Sequence, residues 1–574
     1  MKKSKLWLLV GILVCVAGVI MAACKGGKQA EKEASDEAAE HKKIVRSWYG
    51  ENKAITDDNY DKALAVKCVN GTFVGKQVDS TIVFRGIPYV GKQPVGELRW
   101  KAPVDVVPCD SVYEAYYNAK SACQPEVEVS SLYYQDENCL YLNVWKAATE
   151  REQAGPKGKP VKNAEEKKPV IVWIHGGAYA YGGTVDPLYD FHNFVEENPD
   201  VIIVSAAYRL GVLGFLHLSH LPDGKDYPDA QNLGLMDQLQ ALKWVHENIA
   251  AFGGDPSNVT IMGESAGGGS VTNLSLIKGA HQYFNKVIAL SGNPCLSIST
   301  ENAIATTNEL MEELDCKTVA DLQKVDAQKL VEVATEVAPL RNVPVRDGRL
   351  LPLDPWKAIA NGAVKDITYL HGVNKDELNF FLVTMGGPEP FIEWFDESKM
   401  KKMALMTDKE KALVESYWKD VKGEDYEPYC KWFSQMIFNA PCIRLSEEQT
   451  KAGGKSYTYY FTVESALPMM KCGHGMALAP LFKHPELDGD TGRPFDETFS
   501  KTMRKMWVQF AKTGNPSISA ELSPDGKAKE WPLYDLKDKQ VMVFDEFNIH
   551  PEKESQRKIV DWERTYSLTK CYGF

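Results

Sequence analysis

Short apolar runs rich in β-branched residues recur along the chain: Val170 to Ile174, Val201 to Ala206, Val259 to Ile261, Val287 to Leu290, Ile367 to Leu370, and later Tyr457 to Thr462 and Val541 to Phe544. They do not alternate polar with apolar, as strands buried on both faces do not. Longer stretches of helical period lie between several of them, such as Leu235 to Ile249. Strands alternating with helices predict an α/β fold, a mostly parallel central sheet with helices on both faces. From Glu301 to Lys365, and again from Glu393 to Met436, the pattern is helical and charged with no strand-like alternation. These segments are expected to be helical insertions over the strand ends.

The N-terminus follows a different pattern. Lys2, Lys3 and Lys5 precede an apolar run from Leu6 to Ile20 and then Met21-Ala22-Ala23-Cys24. This is the three-part layout of an export signal, and the run is short for a membrane span. It resembles a bacterial lipoprotein signal, which implies removal of residues 1–23 and lipidation of Cys24; ordinary cleavage and secretion is the alternative. From Lys25 to Asp61 the chain is mostly Lys, Glu, Ala and Gly, too poor in large apolar residues to order itself. Residues 24–61 are therefore expected to be a flexible tether, and 62–574 one folded domain.

The rest of the composition narrows the partner. At 574 residues and 44% hydrophobic content the chain can bury a large core, while a formal net charge of -12 argues against binding nucleic acid. A small-molecule partner is expected, with membrane contact only through the lipid anchor. Of twelve cysteines, Cys15 lies in the signal and Cys24 at its end, and the even number left in an exported body points to disulfides.

Candidate chemistry centres on Gly263-Glu264-Ser265-Ala266-Gly267, which follows the run Val259 to Ile261 and precedes a small-residue stretch able to start a helix. A serine hydroxyl becomes a usable nucleophile when a sharp strand-to-helix turn lifts it off the sheet. That turn needs glycine where a Cβ would strike backbone. Upstream, Trp173-Ile174-His175-Gly176-Gly177-Ala178-Tyr179 leaves a strand into a glycine-rich loop, like the loops that supply N–H donors to a tetrahedral oxyanion. Among eleven histidines, His474 in Cys472-Gly473-His474-Gly475 is the best placed base. No metal-ligand spacing and no dinucleotide fingerprint occurs, so a cofactor-free and metal-free mechanism is expected.

Phe84 to Tyr89, Pro94 to Trp100, Cys123-Gln124 and Glu137 to Val144 resemble, in order, the signatures of the type-B carboxylesterases, the cholinesterase-like branch of the α/β hydrolases. The resemblance runs on to Pro516. It implies oxyanion donors at the backbone N–H groups of Gly177, Ala178 and Ala266, with Ala178 where the family often has glycine. It implies His474 as base and Glu377, in Gly372 to Glu377, as the acid that holds it. It further implies a disulfide between Cys123 and Cys139 and structural ion pairs Arg209 with Asp237 and Arg99 with Glu137. Counting the remaining cysteines leaves the guesses Cys68 with Cys109, Cys295 with Cys316, Cys430 with Cys442 and Cys472 with Cys571. The loop Gln124 to Asn138 is short for a lipase flap and contains no tryptophan, so choline selectivity and interfacial activation are not expected. The function implied is a serine ester hydrolase for short-to-medium acyl esters. A lipase or specialised esterase is the alternative, and a non-catalytic adhesion module a remote one.

Overall fold

The computed structural model describes residues 42–43, 45–57, 59–126, 130–149, 167–393, 426–483 and 491–557. Eleven strands form one central sheet: β1 (Lys76–Val78), β2 (Thr81–Pro88), β3 (Tyr141–Ala147), β4 (Lys168–Ile174), β5 (Ile202–Ala206), β6 (Gly254–Glu264), β7 (Lys286–Leu290), β8 (Thr368–Asn374), β9 (Lys455–Phe461), β10 (Gln540–Asp545) and β11 (Asn548–Lys553). Their spatial order is β11-β10-β9-β8-β7-β6-β4-β5-β3-β2-β1. Neighbours from β5 through β10 run parallel, while β1, β2, β3 and β11 add antiparallel flanks. Every apolar run read as a strand is one.

Both faces of the sheet are buried, which is why those runs do not alternate. Val170, Val172 and Ile174 of β4 join a core shared with α1 (Leu233–Asn248) and α2 (Ala266–Leu274). Ile171 and Trp173, pointing the other way, join a second core. That core also holds Phe499, Met503, Met506, Trp507 and Phe510, the apolar stripe of a helix over Glu497–Thr513. Burying a Val or Leu side chain contributes about 2 kcal/mol, so a strand packed on both faces is fixed in register.

The first insertion carries α3 (Thr300–Glu313) and α4 (Ala327–Val337). It departs from the all-helical expectation in one place, because Val345–Arg346 pairs in parallel with Ile298–Ser299. Two residues cannot display a period. Of the second insertion, residues 394–425 lie outside the described residues; from Glu427 the chain is helical, with a π-helical stretch Gln435–Asn439 leading into α6 (Ala440–Lys451) after the α5 helix Leu378–Thr384.

Residues 24–61 are not a tether throughout. Positions 1–41, with the signal and Cys24, lie outside the described residues, but Val45 is fully buried and packs with Leu132, Tyr133 and Val185. Ala54–Ile55 pairs with Val112–Tyr113 in a small sheet that also holds Ala65–Cys68 and Gly71–Val74. A few apolar residues suffice because the folded body supplies the rest of the surface they bury.

The cysteine pairings are corrected. Cys68, Cys109, Cys123, Cys139, Cys316, Cys430, Cys442 and Cys472 carry free thiols. Cys295 is disulfide-bonded, and not to Cys316. The Cys123 to Cys139 bond is absent: Cys123 packs with Trp100 and Val212 while Cys139 belongs to the main core. A disulfide needs Cβ atoms near 3.8 Å apart in a set dihedral, which a sequence match does not impose. Burial pushes the Cys123 thiol up to about 12 and Cys139 well above its ordinary value.

Candidate active site

The nucleophile turn is where β6 gives way to α2. Ser265 sits there at φ 56° and ψ -122°, a conformation that costs about 1–3 kcal/mol and persists when its surroundings hold it. Its N–H donates to the Leu290 carbonyl of β7 at 2.9 Å. The two glycines are steric necessities, since a Cβ on Gly263 would lie 2.4 Å from the Gly267 carbonyl group and one on Gly267 would lie 2.1 Å from Ile174 O. Ser265 is partly exposed while every residue of α2 behind it is buried.

The glycine-rich loop leaves β4 beside this turn. A Cβ on Gly176 would stand 2.7 Å from Glu264 O and 3.2 Å from the Ser265 Cβ, so loop and turn touch through backbone. Gly177, Ala178 and Tyr179 all have positive φ, at 98°, 54° and 60°. The Gly177 carbonyl accepts the N–H groups of Ala180 and Tyr181 at 2.9 and 2.8 Å. Among the described residues, neither the Gly177 nor the Ala178 N–H donates to an acceptor. The Ala266 N–H opens α2, where helix amides lack internal partners. Ala178, Ser265 and Ala266 line the same cavity.

Glu377 is fully buried just beyond β8. Its Oε1 accepts the Ser291 hydroxyl at 2.6 Å and the Asn374 N–H at 2.7 Å, and its Oε2 receives His474 Nδ1 at 2.6 Å. The His474 N–H reaches back to the Glu377 carbonyl at 3.1 Å, and Asn374 Nδ2 donates to Gly473 O at 2.7 Å. A carboxylate on Nδ1 keeps the proton there and leaves Nε2 as the basic nitrogen. Phe438 and Phe381 pack on the ring, with centroids 4.8 and 5.4 Å away.

Nε2 lies 3.1 Å from Glu264 Oε1, but off the line a hydrogen bond needs, and both atoms lack a bonded partner. Burial alone pulls the His474 pKa down; the carboxylates of Glu264 and Glu377 outweigh it and hold the imidazole above its ordinary value. Burial pushes Glu264 up to about 7, with Glu377 adding to the rise and His474 opposing it.

Ser265, Glu264, His474 and Glu377 thus meet at the ends of β6 and β8, with Gly177, Ala178 and Ala266 beside them. Ser291 was not legible: it is an ordinary polar residue past a strand end, and only the pairing of β7 with β8 sets it against Glu377, whereas Asn374 reaches Glu377 locally, from three residues upstream. The two structural ion pairs do form. Arg209 bonds Asp237 at 2.6 and 2.8 Å, and Arg99 bonds Glu137 at 2.5 and 2.6 Å. His175 stacks on Tyr208 with its pKa lowered by burial to about 4, and His371 lies in the core.

The cavity over Ser265, about 60 Å³, is walled by Leu296, Leu340, Val343, Leu378, Met385 and the two phenylalanines on His474. Its walls come partly from the insertions, and Phe438 is placed by the π-helical stretch. Among the described lining residues there is no tryptophan and no charged side chain.

A serine raised on such a turn at the end of a parallel sheet defines a class, the serine hydrolases of α/β-hydrolase fold. The carboxylesterase family model matches residues 62–560. The para-nitrobenzyl esterase of Bacillus subtilis (strain 168) is 32% identical over 537 residues, covering 90% of this chain and 97% of that protein. The liver carboxylesterase of Sus scrofa is 29% identical over 83% of this chain and 89% of that one. The crystal structure of Geobacillus stearothermophilus carboxylesterase EST55 superposes with a TM-score of 0.71 at 30% identity, covering 86% of this chain and 99% of that one. The chain belongs to the carboxylesterase family and is a carboxylic ester hydrolase.

Proposed function

We propose that Ser265 is the nucleophile of this esterase, His474 its general base and acid, and Glu377 the carboxylate that orients and charges-balances the imidazole. Ser265 Oγ attacks the ester carbonyl carbon as His474 Nε2 takes its proton. The N–H groups of Gly177, Ala178 and Ala266 receive the oxyanion. The C–O bond to the alcohol breaks, and Nε2 returns the proton to the leaving oxygen. Water then gives a proton to Nε2, attacks the acyl-enzyme, and releases the acid as Ser265 regains its proton. The observation that carries this reading is the 2.6 Å bond from Glu377 to His474 Nδ1, which leaves Nε2 free beside the strained Ser265 turn.

The apolar cavity favours uncharged acyl groups of short-to-medium length, and the lack of tryptophan and charge among its described lining residues argues against choline esters. Cys24 is proposed as a lipid anchor that leaves the esterase exported and membrane-attached. Ser265→Ala is expected to lower turnover of a p-nitrophenyl ester by several orders of magnitude, and a fluorophosphonate probe to label the wild type at Ser265. An unchanged rate, or labelling at another residue, overturns the assignment.

A further inference from the structure

The glycine-rich loop is strained and needs external support. Ala178 and Tyr179 both hold left-handed φ, at 54° and 60°, and such strained residues persist only where their surroundings compel them. The support comes from Ser121, Gln124 and Tyr133. Gln124 grips the loop's far end twice, its Oε1 accepting the Gly182 N–H at 3.0 Å and its Nε2 donating to Gly182 O at 2.9 Å. The Tyr133 hydroxyl donates to Asp186 Oδ2 at 2.5 Å. Ser121 presses on Gly183 so closely that a Cβ there would lie 2.6 Å from its Oγ.

That supporting segment is itself covered by the N-terminal arm. Val45, 0% exposed, packs with Leu132, Tyr133 and Val185. The Tyr49 hydroxyl shares a 3.2 Å hydrogen bond with Ser121 Oγ, and its ring meets Tyr134 edge-on at 5.2 Å. Arg46 lies over the same Tyr134 ring at 4.9 Å, and the Trp48 carbonyl accepts the Asn118 N–H at 2.9 Å. The arm is anchored behind these contacts by Asn52, whose side chain makes hydrogen bonds to Arg85 O, Tyr117 O, Tyr116 N and Tyr117 N. The arm lies ahead of residue 62, where the family match begins.

We propose that residues 45–49 are a positioning brace for the oxyanion loop, with Val45 and Tyr49 holding Ser121 and Tyr133 against Gly182 to Asp186 so that the Gly177 and Ala178 N–H groups stay aligned. The inference rests on the esterase reading above. Releasing the brace relaxes the loop without touching Ser265, Glu377 or His474, so it weakens stabilisation of the transition state and leaves substrate binding in place.

The test uses the full-length protein and three variants, Val45→Asp, Tyr49→Phe and the conservative Val45→Ile. Val45→Asp is expected to lower kcat by about tenfold, a fraction of what loss of a whole oxyanion donor costs, with KM within about twofold of wild type. Tyr49→Phe should give a smaller loss of the same kind, and Val45→Ile should restore wild-type kcat. Amide hydrogen exchange should quicken in residues 176–186 and stay unchanged in β6, β7 and β8. Unchanged kcat and unchanged loop exchange in Val45→Asp overturn the proposal. So does a loss accompanied by equal quickening throughout the sheet, which is general destabilisation. A wild type that neither turns over a p-nitrophenyl ester nor labels at Ser265 is instead the failure of the esterase reading, and is seen before any variant is made.

Discussion

Glu264 is a carboxyl buried close to a second carboxylate with its Oε1 unbonded. Its pKa rises from 4.5 to about 7 on folding, mainly through burial. The folded state therefore holds that proton more tightly than the unfolded one, and ionising Glu264 opposes folding increasingly as pH rises from 4.5 to 7. Glu264→Gln should raise the melting temperature near pH 8 and change it little near pH 4. Because Glu264 also holds the His474 pKa up, the same substitution should shift the acid limb of kcat/KM to lower pH. A pH–rate profile whose acid limb stays in place would refute the electrostatic coupling. At this scale the sequence revealed the groups whose neighbours are dictated by sterics. Gly263 and Gly267 mark Ser265, whereas Ser291, the donor on Glu377, carries no local signal at all.

Elements were legible wherever a period had room to repeat. The buried strands β4 through β10 and the α1 helix follow from apolar runs and spacing, because each is packed on both sides or along one stripe. The two-residue pairing at Val345–Arg346 and the ordered arm near Val45 were not, since both depend on surfaces supplied from far along the chain. The absent Cys123 to Cys139 bond belongs here too, as loop length says nothing of how two thiols are oriented. The β6–α2 junction gives the sharpest prediction for an element. Gly267→Ala places a methyl 2.1 Å from Ile174 O, and backbone at the end of a central strand cannot retreat. The variant should lose roughly 3 kcal/mol or more, read as a lower urea midpoint, and a midpoint equal to wild type would contradict the packing of β4 against α2.

For the molecule as a whole, substrate range follows from which walls meet over Ser265. Tyr133 and Tyr134, the aromatic pair of the loop after Cys123, turn away from the cavity: one bonds Asp186, and the other lies under Arg46 and Tyr49. Neither lines the chamber at Ser265. Tributyrin hydrolysis should therefore level off through its solubility limit, and choline esters should show no advantage over uncharged esters of equal acyl length. A jump in rate at the emulsion, or a clear choline preference, would show that another surface reaches the site.

The sheet's two ends have a further consequence for a protein proposed to be anchored to a membrane. β1 is three residues long and largely exposed, and β11 places Pro551 opposite Met542 with His550, Glu552 and Lys553 around it. Proline offers no amide hydrogen to an incoming strand, and charges resist being sandwiched against a neighbour. Eleven strands thus end in borders that do not template growth, and neighbouring copies can be concentrated side by side without their sheets fusing into fibrils.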